Sequence, residues 1–325
     1  MLVSSVAVLL GLIVMIWGAD RCVTGASALA RNLGVSPLVI GLTIIGFGTS
    51  APEFLVSGLA TWEGNPGLAV GNAIGSNIAN IALVIGVTAL VSPLIVSSKT
   101  VRREFPVLLA VVLLAFILMM DGQLSQIDGV VLIAGLVAMV AWVVHLGLQG
   151  HESGGDPVEQ EYDDEIPKDM SMSKALAWLI VGLILLLASS KALVWGAVNI
   201  AEAFGVSDLI IGLTIIAIGT SLPELTASVM SVLKKEDDLA IGNIIGSNMI
   251  NILGVLALPG LIAAPAILDA EVMSRDFPFM AILTVVLLIM AFGRKGAGKI
   301  SRLEGGVLLT SFVAYMVYLY LSAVS

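Results

Sequence analysis

The chain has 325 residues, 58% of them hydrophobic and only 12% charged; soluble chains average roughly 25% charged, so a water-soluble globular fold is all but excluded. One cysteine, Cys22, excludes an internal disulfide framework and a cysteine-rich metal cluster. The formal net charge of −9 is local, because residues 149–169 hold eight acids and one base and leave only −2 elsewhere; with no basic stripe, nucleic acid is not a plausible partner.

A membrane-spanning helix needs ~20 mostly apolar residues. In chain order such stretches are 2–20 (extendable to 31), 37–61, 67–91, 104–120, 127–148, 173–195, 208–232, 239–262, 277–293 and 303–322. The first lacks a basic leader and continues into a repeat, so it reads as a span rather than a removable signal peptide. The apolar runs are unbroken, with none of the two-residue alternation of barrel strands, which argues against sheet. The expected fold is an all-α polytopic membrane protein of ten transmembrane helices in a cell membrane.

Loops joining spans 1–2, 3–4, 5–6, 7–8 and 9–10 hold thirteen of the fifteen Lys and Arg residues; the other side has only Lys191 and Arg275. The basic side is expected to be cytoplasmic. Both termini then lie outside, and the acidic loop 149–172 lies in the cytoplasm as a solvated linker. Asp20 and Lys191 occupy equivalent positions with opposite signs. They read as span-end charges, with a functional pair as the lesser alternative.

The second and seventh spans share a motif. Ile40-Gly-Leu-Thr-Ile-Ile-Gly-Phe-Gly-Thr-Ser-Ala-Pro-Glu53 matches Ile211-Gly-Leu-Thr-Ile-Ile-Ala-Ile-Gly-Thr-Ser-Leu-Pro-Glu224 at eleven of fourteen positions, offset by 171. The same offset aligns Gly71-Asn-Ala-Ile-Gly-Ser-Asn-Ile-Ala-Asn80 in the third span with Gly242-Asn-Ile-Ile-Gly-Ser-Asn-Met-Ile-Asn251 in the eighth. Fainter echoes follow. Arg103-Glu104-Phe105-Pro106 matches Arg275-Asp276-Phe277-Pro278, and Ser125…Asp128 matches Ser301…Glu304; both pairs read as helix starts, the second with capping serines. The chain therefore divides into repeats at 1–148 (motif 41–80) and 173–325 (motif 212–251). Five spans per repeat is odd, so the second repeat is inverted, an arrangement typical of secondary transporters with a site near the midplane.

Pro52 and Pro223 break their spans, because proline lacks a backbone donor. Unpaired backbone at that depth is tolerated only beside protein or a polar cavity, and a cation could satisfy it. Glu53 and Glu224 are costlier: a mid-membrane acid costs ~2.5–3.5 kcal/mol on insertion scales. Two such acids at matching depths require protons or a shared cation. The surrounding oxygens are the carbonyls and hydroxyls of Thr49 and Thr220, and the neutral side chains of Ser50, Ser221, Ser76, Ser247, Asn80 and Asn251. No Cys or His joins them, so zinc and copper are poor candidates. Ca²⁺ wants 6–8 oxygens, and the neutral oxygens suit Na⁺.

The Gly-Ser-Asn stretches serve helix packing about as readily as ion binding; a buried acid placed twice does not. A membrane-embedded enzyme lacks a nucleophile or a metal-ligand histidine in the spans, so no catalytic residue and no cofactor are expected. A channel remains a formal alternative.

With these motifs the chain resembles the cation/Ca²⁺ exchanger superfamily, and most closely the prokaryotic sodium/calcium exchangers of ten transmembrane helices. The resemblance implies antiport of Na⁺ for Ca²⁺, by a protein that can act as a monomer. It implies Ca²⁺ bound by Glu53, Glu224 and the carbonyls of Thr49 and Thr220. It implies Na⁺ sites drawn from Ser50, Ser221, Ser76, Ser247, Asn80 and the backbone of Gly46 and Ala217. Some relatives carry an acid where this chain has Asn251, as do potassium-dependent ones in this region. Proton-coupled relatives share the two glutamates, so H⁺ and K⁺ stay in view as coupling ions.

Overall fold

The computed structural model describes residues 2–149, 170–204, 217–292 and 298–324. Most of the acidic loop and the start of the seventh span, including 212–216 of its motif, lie outside the described residues.

The described residues form ten helical passes. These are α1 (Leu2–Leu33), α2 in two halves (Pro37–Thr49 and Ala51–Trp62), α3 (Pro66–Val91), α4 (Ser98–Met119) and α5 (Gln126–Gln149), then α6 (Met172–Ala203), α7 in two halves (Ala217–Thr220 and Leu222–Leu233), α8 (Asp237–Ile262), α9 (Val272–Ala291) and α10 (Arg302–Val324). Seven are uninterrupted apolar helices long enough to cross a membrane, and the halves of α2 meet at a 43° bend. The protein is thus a multi-pass membrane protein built from two inverted repeats.

Local chemistry sets the helix starts. Ser125 donates its N–H and hydroxyl to Asp128 Oδ2 at 2.7 and 2.6 Å, opening α5; Ser301 and Glu304 do the same before α10. Of the Arg-acid-Phe-Pro motifs the first does not start a helix, whereas the second opens the α-helical part of α9 at Phe277, with Pro278 in its first turn. Ser97 accepts the Thr100 N–H at 3.2 Å and starts α4 earlier, leaving Pro106 inside it. In the second repeat a π-helical turn, Val272–Asp276, precedes Phe277.

A purely helical chain does not foresee the four short strands at the helix ends. β1 (Leu94–Val96) and β2 (Gln123–Leu124) lie in the first repeat, β3 (Ala266–Ile267) and β4 (Gly298–Ile300) in the second. β1 pairs antiparallel with β4, and β2 with β3. β1 and β3 follow α3 and α8, while β2 and β4 precede α5 and α10. Exchanging the repeats therefore converts one pairing into the other, the signature of a pseudo-two-fold axis. The pairing also satisfies backbone groups that the helix ends leave without partners.

Two apolar clusters fill the interior. The larger joins α3, α4, α5, α8, α9 and α10; the smaller centres on α1 and α6. Small residues let those two helices approach closely. A Cβ at Gly182 would lie only 2.6 Å from Cys22 Cα, and Cys22 is fully buried. Trp17 and Trp178 meet edge to face at 6.1 Å, with the Arg21 guanidinium 4.7 Å from the Trp178 ring centre. Because this packing carries α1 on to Leu33, Asp20 and Arg21 sit within the helix.

Candidate ion-binding site

The breaks in α2 and α7 come from the same residues. Ser50 (φ −79°, ψ 3°) and Ser221 (φ −88°, ψ 3°) leave helical geometry, and the prolines that follow have no N–H for the carbonyls four residues back. Each new half-helix then opens with its glutamate in the first turn, where the helix dipole favours negative charge. At Gly219 the freed carbonyl accepts the Ser190 hydroxyl of α6 at 2.9 Å. The equivalent residue in α1 is Ala19. Sequence reasoning missed Ser190, because the repeat does not reproduce it. Ser190→Ala would orphan that carbonyl and should cost ~1–3 kcal/mol of stability. Ser189→Ala, which loses only bonds within its own helix, should change thermal unfolding in detergent far less.

The expected site residues come together. Glu53 and Glu224 are each 1% exposed, and each lies in the first turn after its helix break. Thr49, Ser50, Ser221, Ser76, Ser247, Asn80 and Asn251 are all buried with them. Ser76 donates to Glu53 Oε1 at 3.5 Å. The Thr49 hydroxyl meets Asn243 Oδ1 at 3.2 Å and Ser247 Oγ at 3.4 Å. Gly46 packs against α8, and its carbonyl lies 3.5 Å from Ser247 Oγ. Thr220 is half-buried at the break, and Ala217 is the first described residue of α7, in helical backbone.

Further asparagines frame these groups. Asn72 donates to the Glu53 carbonyl and the Ser57 hydroxyl, at 3.3 and 2.9 Å. Asn243 donates to the Glu224 carbonyl and the Ser228 hydroxyl, at 3.4 and 3.1 Å. Across the axis Asn80 donates to Asn248 Oδ1 at 3.1 Å, and Asn251 to Asn77 Oδ1 at 3.2 Å. Every bond has its counterpart 171 residues away. The signal was in the doubled Gly-Asn-x-x-Gly-Ser-Asn-x-x-Asn motif, which carries all of these asparagines. Asn80 and Asn251 also sit where α3 and α8 widen into π-helical turns, Ala79–Ile85 and Asn251–Val255, a distortion frequent at functional sites.

After these bonds are made, a set of oxygens is left over. Ser50 Oγ, Ser221 Oγ, Glu53 Oε2, both Glu224 carboxylate oxygens, Asn80 Oδ1 and Asn251 Oδ1 have no hydrogen-bond partner among the described residues. Buried polar atoms are nearly always paired. Seven buried oxygens of this kind, all from the doubled motifs of α2, α3, α7 and α8, are the chemistry of a hard cation's shell, and no third carboxylate, histidine or cysteine among the described residues joins the two glutamates.

The model of the sodium/calcium exchanger protein family matches residues 3–145 and 174–321. The chain belongs to that family. Exchangers of this family are transporters, and the chain is a cation/Ca²⁺ antiporter of the prokaryotic type. CaxA of Alkalimonas amylolytica is 51% identical over 322 residues, covering 99% of this chain and 100% of the relative. The sodium/calcium exchanger MaX1 of Methanosarcina acetivorans is 30% identical over 349 residues, covering 98% and 99%. Among solved structures, the sodium-calcium exchanger NCX_Mj soaked with Na⁺ and Sr²⁺ is 35% identical, with a TM-score of 0.83 over 98% of each chain.

Proposed function

We propose that this antiporter exchanges Na⁺ for Ca²⁺, with Ca²⁺ held between Glu53 and Glu224. The cluster of unpartnered oxygens around the two buried carboxylates carries the reading. Two carboxylates supply two negative charges, which one Ca²⁺ balances. Asn80 and Asn251 are neutral and add oxygens without charge, so the same chamber accommodates several Na⁺ in place of Ca²⁺. Its Ser, Asn and carbonyl oxygens suit Na⁺ and Ca²⁺ rather than a transition metal. The names of MaX1 and NCX_Mj, both sodium/calcium exchangers, support the same choice of ions.

Obligate exchange follows from electrostatics. Two uncompensated carboxylates in a water-excluded core carry a desolvation penalty of several kcal/mol each. Closing the chamber is accessible once Ca²⁺ or Na⁺ neutralises them, and costly when it holds neither. With more than two Na⁺ per Ca²⁺ the cycle moves net charge, worth ~2.3 kcal/mol per charge per 100 mV. The distribution of basic residues supports an orientation with both termini outside; whichever way the chain is inserted, an inside-negative potential favours entry of the excess Na⁺ charge and so Ca²⁺ exit.

Proteoliposomes loaded with Na⁺ should take up ⁴⁵Ca²⁺ at equal pH on both sides and without K⁺. Uptake driven by a pH gradient alone would replace Na⁺ with H⁺ in this account. A strict need for K⁺ would make the exchange potassium-dependent.

A further inference from the structure

One ion pair stands outside the site. Asp20 Oδ1 of α1 lies 2.8 Å from Lys234 Nζ, and Lys234 also donates to the Thr24 hydroxyl at 3.1 Å. The repeat offset of 171 carries Asp20 to Lys191 and Lys234 back to Glu63. The second repeat thus holds the same pair with both signs reversed. The positions are structurally equivalent. Lys234 and Glu63 each end the half-helix that follows a break, while Asp20 and Lys191 lie within α1 and α6. Yet only one pair is made. Lys191 and Glu63 are both exposed, and no ion pair joins them among the described residues. The helices show the same asymmetry: α1 packs along Leu222–Leu233, whereas α6 makes no comparable contact with Ala51–Trp62.

We propose that Asp20–Lys234 and Lys191–Glu63 are alternating latches, one at each membrane face, and that the structure holds the state in which the first is closed. The inference rests on the alternating access of the antiport reading above. Inversion places Lys234 and Glu63 on opposite sides of the membrane, with Lys234 cytoplasmic in the orientation given. Two-fold-related elements caught in two arrangements are what an inverted-repeat transporter presents in either end state. Exchange of the arrangements parts Asp20 from Lys234 and brings Lys191 onto Glu63. Reversing both signs keeps each pair attractive. A partly exposed ion pair biases such an equilibrium by about two- to fivefold, enough to hold a state without trapping it.

The test uses the full chain in lipid vesicles, in a Cys22→Ala background, with a short bis-maleimide. Glu63→Cys with Lys191→Cys reports closure of the outer face; Asp20→Cys with Lys234→Cys reports closure of the inner face. Adding Asp20→Asn should raise the outer crosslink about two- to fivefold, and adding Glu63→Gln should raise the inner one similarly. A merely structural role for either pair would not raise the crosslink at the opposite face. If the outer pair fails to crosslink, or ignores Asp20→Asn, while the Cys22→Ala parent exchanges Na⁺ for Ca²⁺, the latches are overturned and antiport stands. If both yields respond as expected but the parent exchanges no Ca²⁺ for Na⁺, the latches stand and the antiport reading falls.

Discussion

Replacing either glutamate, by Glu53→Gln or Glu224→Gln, should abolish ⁴⁵Ca²⁺ uptake into Na⁺-loaded vesicles while leaving the protein folded. The glutamine keeps the volume and one oxygen of the original side chain but removes half of the charge that a divalent ion must balance. Removing one partner of a buried charge pairing costs ~3–5 kcal/mol, which corresponds to roughly a hundred- to several-thousand-fold loss of ion affinity. The fold does not carry that cost. Without an ion, two buried carboxylates repel each other, so the substitution relieves strain in the empty chamber. Thermal unfolding separates the two effects. A ligand at a hundred times its Kd adds ~2.7 kcal/mol of stability. Ca²⁺ should therefore raise the melting temperature of the unaltered chain and leave that of either variant unchanged. Wild-type uptake in both variants would remove the glutamates from the site.

The second large effect is expected at Gly242, which carries no charge itself. Here α8 crosses the first half of α2 with backbone against backbone. A Cβ at Gly242 would lie 2.6 Å from the Leu38 carbonyl oxygen and 3.1 Å from the Leu42 nitrogen. Neither atom belongs to a side chain that can turn away. Gly242→Ala must therefore separate the helices, and overpacking of this kind costs ~1–3 kcal/mol. The same crossing sets Thr49 against Asn243 and Ser247, so the shift also loosens the chamber. Loss of both folded yield in detergent and ion-dependent stabilisation is expected. Gly58→Ala is the control. Its Cβ would meet only Leu258 Cδ1, at 3.9 Å, and the helix gains propensity. Equal stability of the two variants would show that the crossing is not tightly packed.

Much of this was legible in the sequence. Span length follows from membrane thickness, so ten hydrophobic runs give ten passes. The 171-residue offset gives the duplication, and an odd number of spans per copy gives its inversion. Proline followed by glutamate, twice, marks both the helix breaks and the buried acids. Where helices begin and end depends on contacts that no local pattern shows. The extension of the first span to 31 is met by α1, which continues past Asp20 and Arg21 to Leu33. Lys234 and two tryptophan rings, all distant in sequence, make those charges acceptable there. The motif around Pro106 looked like a helix start because proline is at home there, yet Ser97 had already capped the helix two turns earlier.

The sequence by itself determined which residues are equivalent: through the two motifs each position has its partner 171 residues on, the offset drifting to 172 at Arg103 and Arg275 and to 176 at Ser125 and Ser301, and covalent order cannot hide that. It could not determine which residues touch across the axis. The bonds from Asn80 to Asn248 and from Asn251 to Asn77, and that from Ser190 to the Gly219 carbonyl, depend on how closely the helices approach. That approach is set by glycines meeting backbone, a matter of tenths of an ångström in three dimensions. Nor could it choose between the two arrangements that inverted repeats allow. Both are encoded equally, and only the packed structure shows α1 against the end of α7 with Asp20 on Lys234.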